Sequence, residues 1–288
     1  MEYLHGTVAS ELRALRECEP YVFGTAEQDA RFWHQMAFIH VQLANTTHDK
    51  IGSLHQDEDS LVIGPELVTG KGPWTTSEDF YSTLAHHRLK AAEQDAGAEV
   101  RNKPSELPYD FRNLMKNILV HGEAQTKGPF VMANRDFGAH NVLVDNEFNI
   151  VGLIDFDGCM FAPIEVAAQF PLYMGLQRPV PGHVETRELA LKLIEKQRHL
   201  IPRYVELVRA ITTELERSTG AESASSLADA LVGDAATVVQ GLNEYGQHQD
   251  FVNDSWMAAY DLLMRKQEHI GRALAEENSS LAAELYHS

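Results

Sequence analysis

Residues 130–158 constrain this chain more than any other stretch. Phe130 to Ala133 is an apolar run of strand length, bounded by polar residues, and predicts a short buried strand. A polar loop carrying Asp136 and Asn141 follows. Val142 to Val144 predict a second strand, Asp145 to Asn149 a tight turn, and Ile150 to Ile154 a third strand that ends in Asp155. Two strands joined by a short polar turn make a hairpin. That pairing puts Asn141, at the start of one strand, beside Asp155, at the end of its partner, with Asp136 one loop away. Two carboxylates and an amide carbonyl are hard oxygen donors, a set that suits magnesium when phosphates complete its shell.

An Asp, an Asn five residues on, and a second Asp closing the next strand form the catalytic-loop arrangement of phosphoryl-transfer enzymes with a protein-kinase-like fold. The segment resembles the aminoglycoside phosphotransferase/choline kinase-like family, particularly its fungal phosphotransferase members. The loop of that family runs His-x-Asp-x-x-x-x-Asn and is followed by Ile-Asp-Trp/Phe-Glu/Asp. This chain has Asn134-Arg135-Asp136-Phe-Gly-Ala-His-Asn141 and then Ile154-Asp155-Phe156-Asp157, so Asn134 stands where the family has His. The resemblance implies a base at Asp136 with Arg135 beside it, Mg2+ held by Asn141 and Asp155, and supporting places for Asn134 and Asp157. It also implies ATP as co-substrate and a small hydroxylated acceptor. Met1 to Gly6 resembles the family's interlobe hinge, which would place Glu2 and Tyr3 against adenine. On that match the chain starts at the hinge and corresponds to the C-terminal lobe, without the N-terminal lobe. The fold expected is α+β and predominantly helical, a single domain over 1–288 with a hinge remnant at 1–6, the catalytic hairpin at 130–158 and a helical substrate subdomain at 185–288.

The charge balance bears on partners. With 24 basic against 42 acidic residues the net charge is −18, which opposes non-specific binding to nucleic acid or an anionic membrane. It suits a cationic small substrate, and a solvated acidic surface accounts for it as well. Cys18 and Cys159 have neither metal spacing nor a disulfide framework, as expected of a cytoplasmic protein. There is no apolar signal core near Met1 and no run of membrane-spanning length.

Elsewhere the pattern is mostly helical. Thr7 is a candidate cap for a helix with Val8, Leu12 and Leu15 on one face. Thr25-Ala-Glu-Gln28 fits a capping box, before a helix that places Trp33, Ala37, His40 and Ala44 together, His40 as a core residue. Ile51 to Leu54 and Leu61 to Ile63 predict a hairpin. Thr69-Gly-Lys71-Gly-Pro-Trp74 lacks the spacing of a phosphate-binding P-loop and predicts a rigid turn with Trp74 inward. Thr75 to Glu78 predicts a cap for a helix carrying Phe80, Leu84 and His87. Further helices are expected over 109–122, after Pro163, over 185–199 and 202–217, through Leu227 to Leu242, and along Trp256 to Leu274. Asp229, Asp234, Asp254 and Asp261 are candidates to attract a cationic acceptor.

Two function classes stand at this point. One is a Mg2+- and ATP-dependent phosphotransferase acting on a small-molecule hydroxyl. The other is a pseudokinase or binding module, with a partner expected to supply the missing lobe.

Overall fold

A computed structural model describes residues 5–57, 60–95, 126–176, 199–220 and 226–244. The hinge residues Glu2 and Tyr3, the helices expected over 109–122 and 256–274, and most of that over 185–199 lie outside them. The described chain is mixed α+β. Among the described residues eight strands stand beside seven helices, a more even balance than a predominantly helical chain has.

The long helix α2 (Ala26–Asn45) is the spine. Thr25 accepts from the Gln28 backbone N–H and the Gln28 side chain accepts from that of Thr25, so the capping box forms as the sequence predicts. The inner face of α2 buries Phe32, Trp33, Met36, Ala37, His40, Val41 and Ala44. Against it packs α5 (Leu200–Thr219), through Tyr204, Val205, Val208 and Ile211. Helices α6 (Leu227–Val232) and α7 (Asp234–Glu244) follow α5. Near the start, α1 (Ala9–Leu15) begins one residue after Val8, with no side-chain cap. Thr7 is therefore not its cap: Thr7–Val8 is strand β1, pairing with Val144 and Leu143. Leu12 is buried but Leu15 is 76% exposed, because the helix ends there and its last turn faces solvent.

The strands form two antiparallel sheets. One has β1, β6 (Val142–Val144) and β7 (Ile150–Leu153). The other has the order β2 (Thr47–His48), β5 (Phe130–Asn134), β8 (Cys159–Ala162), β3 (Gly52–Asp57), β4 (Ser60–Gly64). The β3–β4 hairpin is in the expected place, with Asp57 opposite Ser60. Ile51 and Trp74 exchange backbone hydrogen bonds at 2.8 and 2.9 Å, and the Trp74 ring meets Phe80 edge-on at 5.4 Å. Helix α3 (Ser77–Asp95) starts after Thr76, whose hydroxyl oxygen accepts from the Asp79 N–H, and buries Phe80, Tyr81 and Leu84. Helix α4 (Ile164–Ala167) is a single turn after Pro163.

The β6–β7 hairpin is fastened to α2 at its turn. Asp145 accepts from the N–H groups of Glu147 and Asn149 at 2.8 and 2.9 Å and from the Asn149 side chain at 2.8 Å, which holds its carboxyl below the usual range. Phe148 occupies a left-handed conformation (φ 57°) and is fully buried, edge-on to the stacked rings of Phe23 and Phe32. Burying such a ring contributes roughly 1.5–3 kcal/mol, enough to offset the backbone cost of that conformation. Gln35 Oε1 accepts from the Ile150 N–H at 2.9 Å, and Arg31 donates to the Glu147 carbonyl at 2.9 Å.

His40 sits in the core as the sequence predicts. Its Nε2 must donate to the Ala167 carbonyl at 2.9 Å, so in the neutral ring Nδ1 accepts from the Tyr204 hydroxyl at 3.0 Å. Burial lowers its pKa from 6.5 to about 4, against the raising effect of the Ala167 bond. The unfolded chain thus binds this proton first as pH falls. Stability from the neutral ring is complete above about pH 6.5 and is lost progressively toward pH 4. His40→Gln should flatten that part of the stability–pH curve by about 3 kcal/mol, following the roughly 1.4 kcal/mol carried by each pKa unit. Urea denaturation at a series of pH values checks it; parallel curves for the two proteins would contradict the assignment.

Candidate active site

Two chain crossings build the site. Strands β5 and β8 pair in one sheet, with Asn134 opposite Cys159, and β6 and β7 pair in the other, with Val142 opposite Leu153. The chain passes from β5 to β6 through residues 135–141 and from β7 to β8 through residues 154–158. Both crossings leave paired strands, so they run side by side. The first carries Asp136 and Asn141, and the second carries Asp155 and Asp157.

The first loop is pinned by buried residues and by its own turns. Phe137 and Ala139 enter the core, and the bonds Leu172 N to Phe137 O (2.9 Å) and Ala139 N to Leu172 O (3.0 Å) hold it to the segment after α4. Gly138 is required here, because a Cβ would fall 2.6 Å from the Leu172 carbonyl oxygen. Asn134 braces the loop from its N-terminal side: its Oδ1 accepts from the Asp136 N–H at 3.0 Å. With Phe137 and Ala139 held inward, the Asp136 side chain is left 48% exposed.

Asn141 then locks to Asp136. Its Nδ2 donates to Asp136 Oδ2 at 2.9 Å and to the Asp136 carbonyl at 3.1 Å. Both partners are acceptors only, so the amide orientation is unambiguous and both its N–H groups are engaged. The other amide atom, Oδ1, has no partner among the described residues. The Ile154 N–H donates to the Asn141 carbonyl at 3.0 Å, which places Asp155 one residue from Asn141 across the hairpin. Asp155 is exposed and left-handed, with φ 58°. Asp adopts that conformation more readily than most residues, and Glu17, Tyr21, Phe148 and Tyr173 share it. Asp157 is also exposed, in the turn closed by the bond from Cys159 N to Phe156 O at 2.9 Å.

Arg135 turns away from solvent. Its Nη1 lies 2.8 Å from Glu66 Oε1, with side-chain exposures of 18% and 0%. Its Nε donates to the Gly158 carbonyl at 3.3 Å. Burial alone would raise the Glu66 carboxyl, but the Arg135 charge and hydrogen bonds from Thr69 and Val68 outweigh it and hold its pKa below the ordinary value. Cys159 begins β8 beside these groups. Burial raises its thiol to about 11, with smaller opposing effects from the Arg135 cation and the Asp155 anion.

Two participants escaped the sequence pattern. His140 Nε2 lies 3.1 Å from Asp136 Oδ1, and its ring packs against the Tyr173 ring at 4.7 Å. The four-residue spacing of Asp136 and His140 was a usable signal. Nothing local marked Glu66 as the partner of Arg135, which lies 69 positions further on (135 − 66). The Asp229 carboxyl is held below its ordinary value by a hydrogen bond with the Ser226 side chain and then by Arg209, 3.0 Å away; Asp254 and Asp261 lie outside the described residues. Lys71 is exposed on the loop that Glu66 begins.

Among the described residues no group of three or more His, Cys, Asp or Glu has metal-holding geometry, and no helix is long and apolar enough to cross a membrane. The candidate cation set is smaller: Asn141 Oδ1 and the carboxylate of the exposed Asp155. No family model, no curated protein and no solved structure matches this chain.

Arg135→Ala should cost about 3–5 kcal/mol in denaturant unfolding, because it leaves the Glu66 charge buried without its cation. Removing the charge as well, in Glu66→Gln/Arg135→Ala, should recover part of that loss. A double variant less stable than Arg135→Ala would contradict the buried-pair account.

Proposed function

We propose that the chain is a kinase-like C-terminal lobe, and that its two crossings hold Mg2+ and ATP for phosphoryl transfer to a hydroxyl of a small molecule. One observation carries the proposal: the Asn141 amide gives both N–H groups to Asp136 and keeps Oδ1 for another partner beside the exposed, left-handed Asp155. An amide carbonyl and one carboxylate suit magnesium, which takes few protein ligands and completes an octahedron with water and phosphate oxygens. Bound there, the ion would neutralise charge on the phosphates. Asp136 accepts the proton of the acceptor hydroxyl as the new O–P bond forms and the bond to the leaving diphosphate breaks. General-base help of this kind is worth roughly 10²–10⁴ in rate. Asn134 holds the backbone of Asp136, and Arg135 serves as a strut on Glu66 rather than a phosphate clamp. Glu2 and Tyr3 remain the proposed adenine contacts, and the charge of −18 favours a cationic acceptor. Two free cysteines accord with a cytoplasmic setting.

A second reading has its own support. Asp136 Oδ1 already faces His140 Nε2 at 3.1 Å and Oδ2 accepts from Asn141, so both oxygens have protein partners. A carboxylate held this way suits a module that binds Mg-ATP, or a partner lobe, without transferring phosphate.

Thermal unfolding with and without Mg-ATP tests both. A ligand at a hundred times its Kd stabilises by about 2.7 kcal/mol. The wild type should show a shift of that order and Asp155→Ala none. With Asp136→Asn the shift should persist while phosphate transfer to a panel of amino alcohols is lost. No shift in the wild type would end the nucleotide proposal; a shift without transfer in the wild type would select the binding module.

A further inference from the structure

Arg135 joins three segments. Through its own backbone it belongs to the Asp136 loop. Through Nε it holds the Gly158 carbonyl, in the crossing that carries Asp155. Through Nη1 it is held by Glu66. The backbone of Gly158 runs against the other loop closely enough that a Cβ there would lie 3.9 Å from the Asp136 nitrogen. The guanidinium is therefore a second link, besides the Ile154–Asn141 backbone bond, between the crossing that carries the base and the crossing that carries the metal carboxylate.

Glu66 is built to keep that link in place. It is fully buried in the loop that follows β4. Its backbone closes the loop, with bonds from Glu66 N to Lys71 O at 2.7 Å and from Gly70 N to Glu66 O at 2.8 Å. Its Oε2 accepts from the Thr69 N–H at 2.7 Å, which fixes the carboxylate plane and turns Oε1 toward Arg135. The next residue, Leu67, donates its N–H to the buried Ser53 hydroxyl oxygen of β3 at 3.3 Å, so the loop is anchored to the five-stranded sheet.

We propose that Glu66 is a positioning residue: through its ion pair with Arg135, which holds the Gly158 carbonyl, it sets the spacing of Asp136 and Asp155. This rests on the metal-site proposal above, and its tests separate the two. Partners that orient metal ligands typically change affinity by 10–100-fold when removed. Glu66→Gln should weaken Mn2+ binding, followed by electron paramagnetic resonance of the free ion, by roughly tenfold or more. Arg135→Lys, which keeps the charge but not the fork, should do the same. The double variant should lose no more than either single one, because both act through one link. Tyr81→Phe removes the buried hydroxyl bonded to Glu165 at 2.8 Å and serves as a destabilised control; its Mn2+ affinity should equal that of the wild type. Amide exchange gives a readout that needs no metal: in Glu66→Gln the Asp136 and Cys159 amides should exchange faster while those of α2 keep their rates. Unchanged exchange at Asp136 and Cys159, additive losses in the double variant, or full Mn2+ affinity in Glu66→Gln would each overturn the positioning role. Absence of Mn2+ binding in the wild type would instead sink the metal site itself, and exchange alone would then decide whether Glu66 sets the spacing.

Discussion

The site depends on one side chain locking to another: Asn141 donating twice to Asp136. An amide has a donor end and an acceptor end, and engaging the donor end dictates where the acceptor points. The same contact ties the free middle of a loop to the first residue before β6, so the carboxylate cannot swing away. It works only because β6 is itself fixed. Val142 pairs with Leu153, Val144 pairs with Thr7, and Phe148 plugs the hairpin turn into the aromatic cluster of Phe23 and Phe32.

The rest of the architecture supplies two adjacent crossings. Leaving strands that are already paired, loops 135–141 and 154–158 have few ways to diverge. Several of their polar groups pair within the site: Asn134 to Asp136, Asn141 to Asp136, Arg135 to Gly158. Among the described residues Glu17, Tyr21, Phe148, Asp155 and Tyr173 have left-handed backbone. The cost at Phe148 is offset by burial, and Asp, with its short polar side chain, adopts that conformation more readily than most residues.

Much of this was legible in the chain. Strands β5, β6 and β7 follow from short apolar runs between polar punctuation, and the capping box at Thr25 from a spacing of three. The placement of His40 follows from the apolar face it shares with Trp33 and Ala37. Other elements left no periodic trace. Strands β1 and β2 are two residues each, too short for alternation to register. Strand β8 is buried at all four positions, so it reads as a bare apolar run before Pro163, and its pairing with β5 and β3 is set by tertiary contact. Thr7 looked like a helix cap because Thr caps helices often; pairing with β6 took that residue for a strand instead. Arg135 and Glu66 are ordinary charged residues in sequence, and only the fold makes them a buried pair.

The central claim is that Asn141 Oδ1 and the Asp155 carboxylate share a divalent cation. Paramagnetic broadening by substoichiometric Mn2+, mapped over the backbone amides by nuclear magnetic resonance, tests it most directly. The account predicts that the signals of Asn141, Ile154, Asp155 and Asp136 fade first and together, with Mg2+ in excess restoring them. Broadening centred on other acidic residues, with those four signals intact, would contradict it.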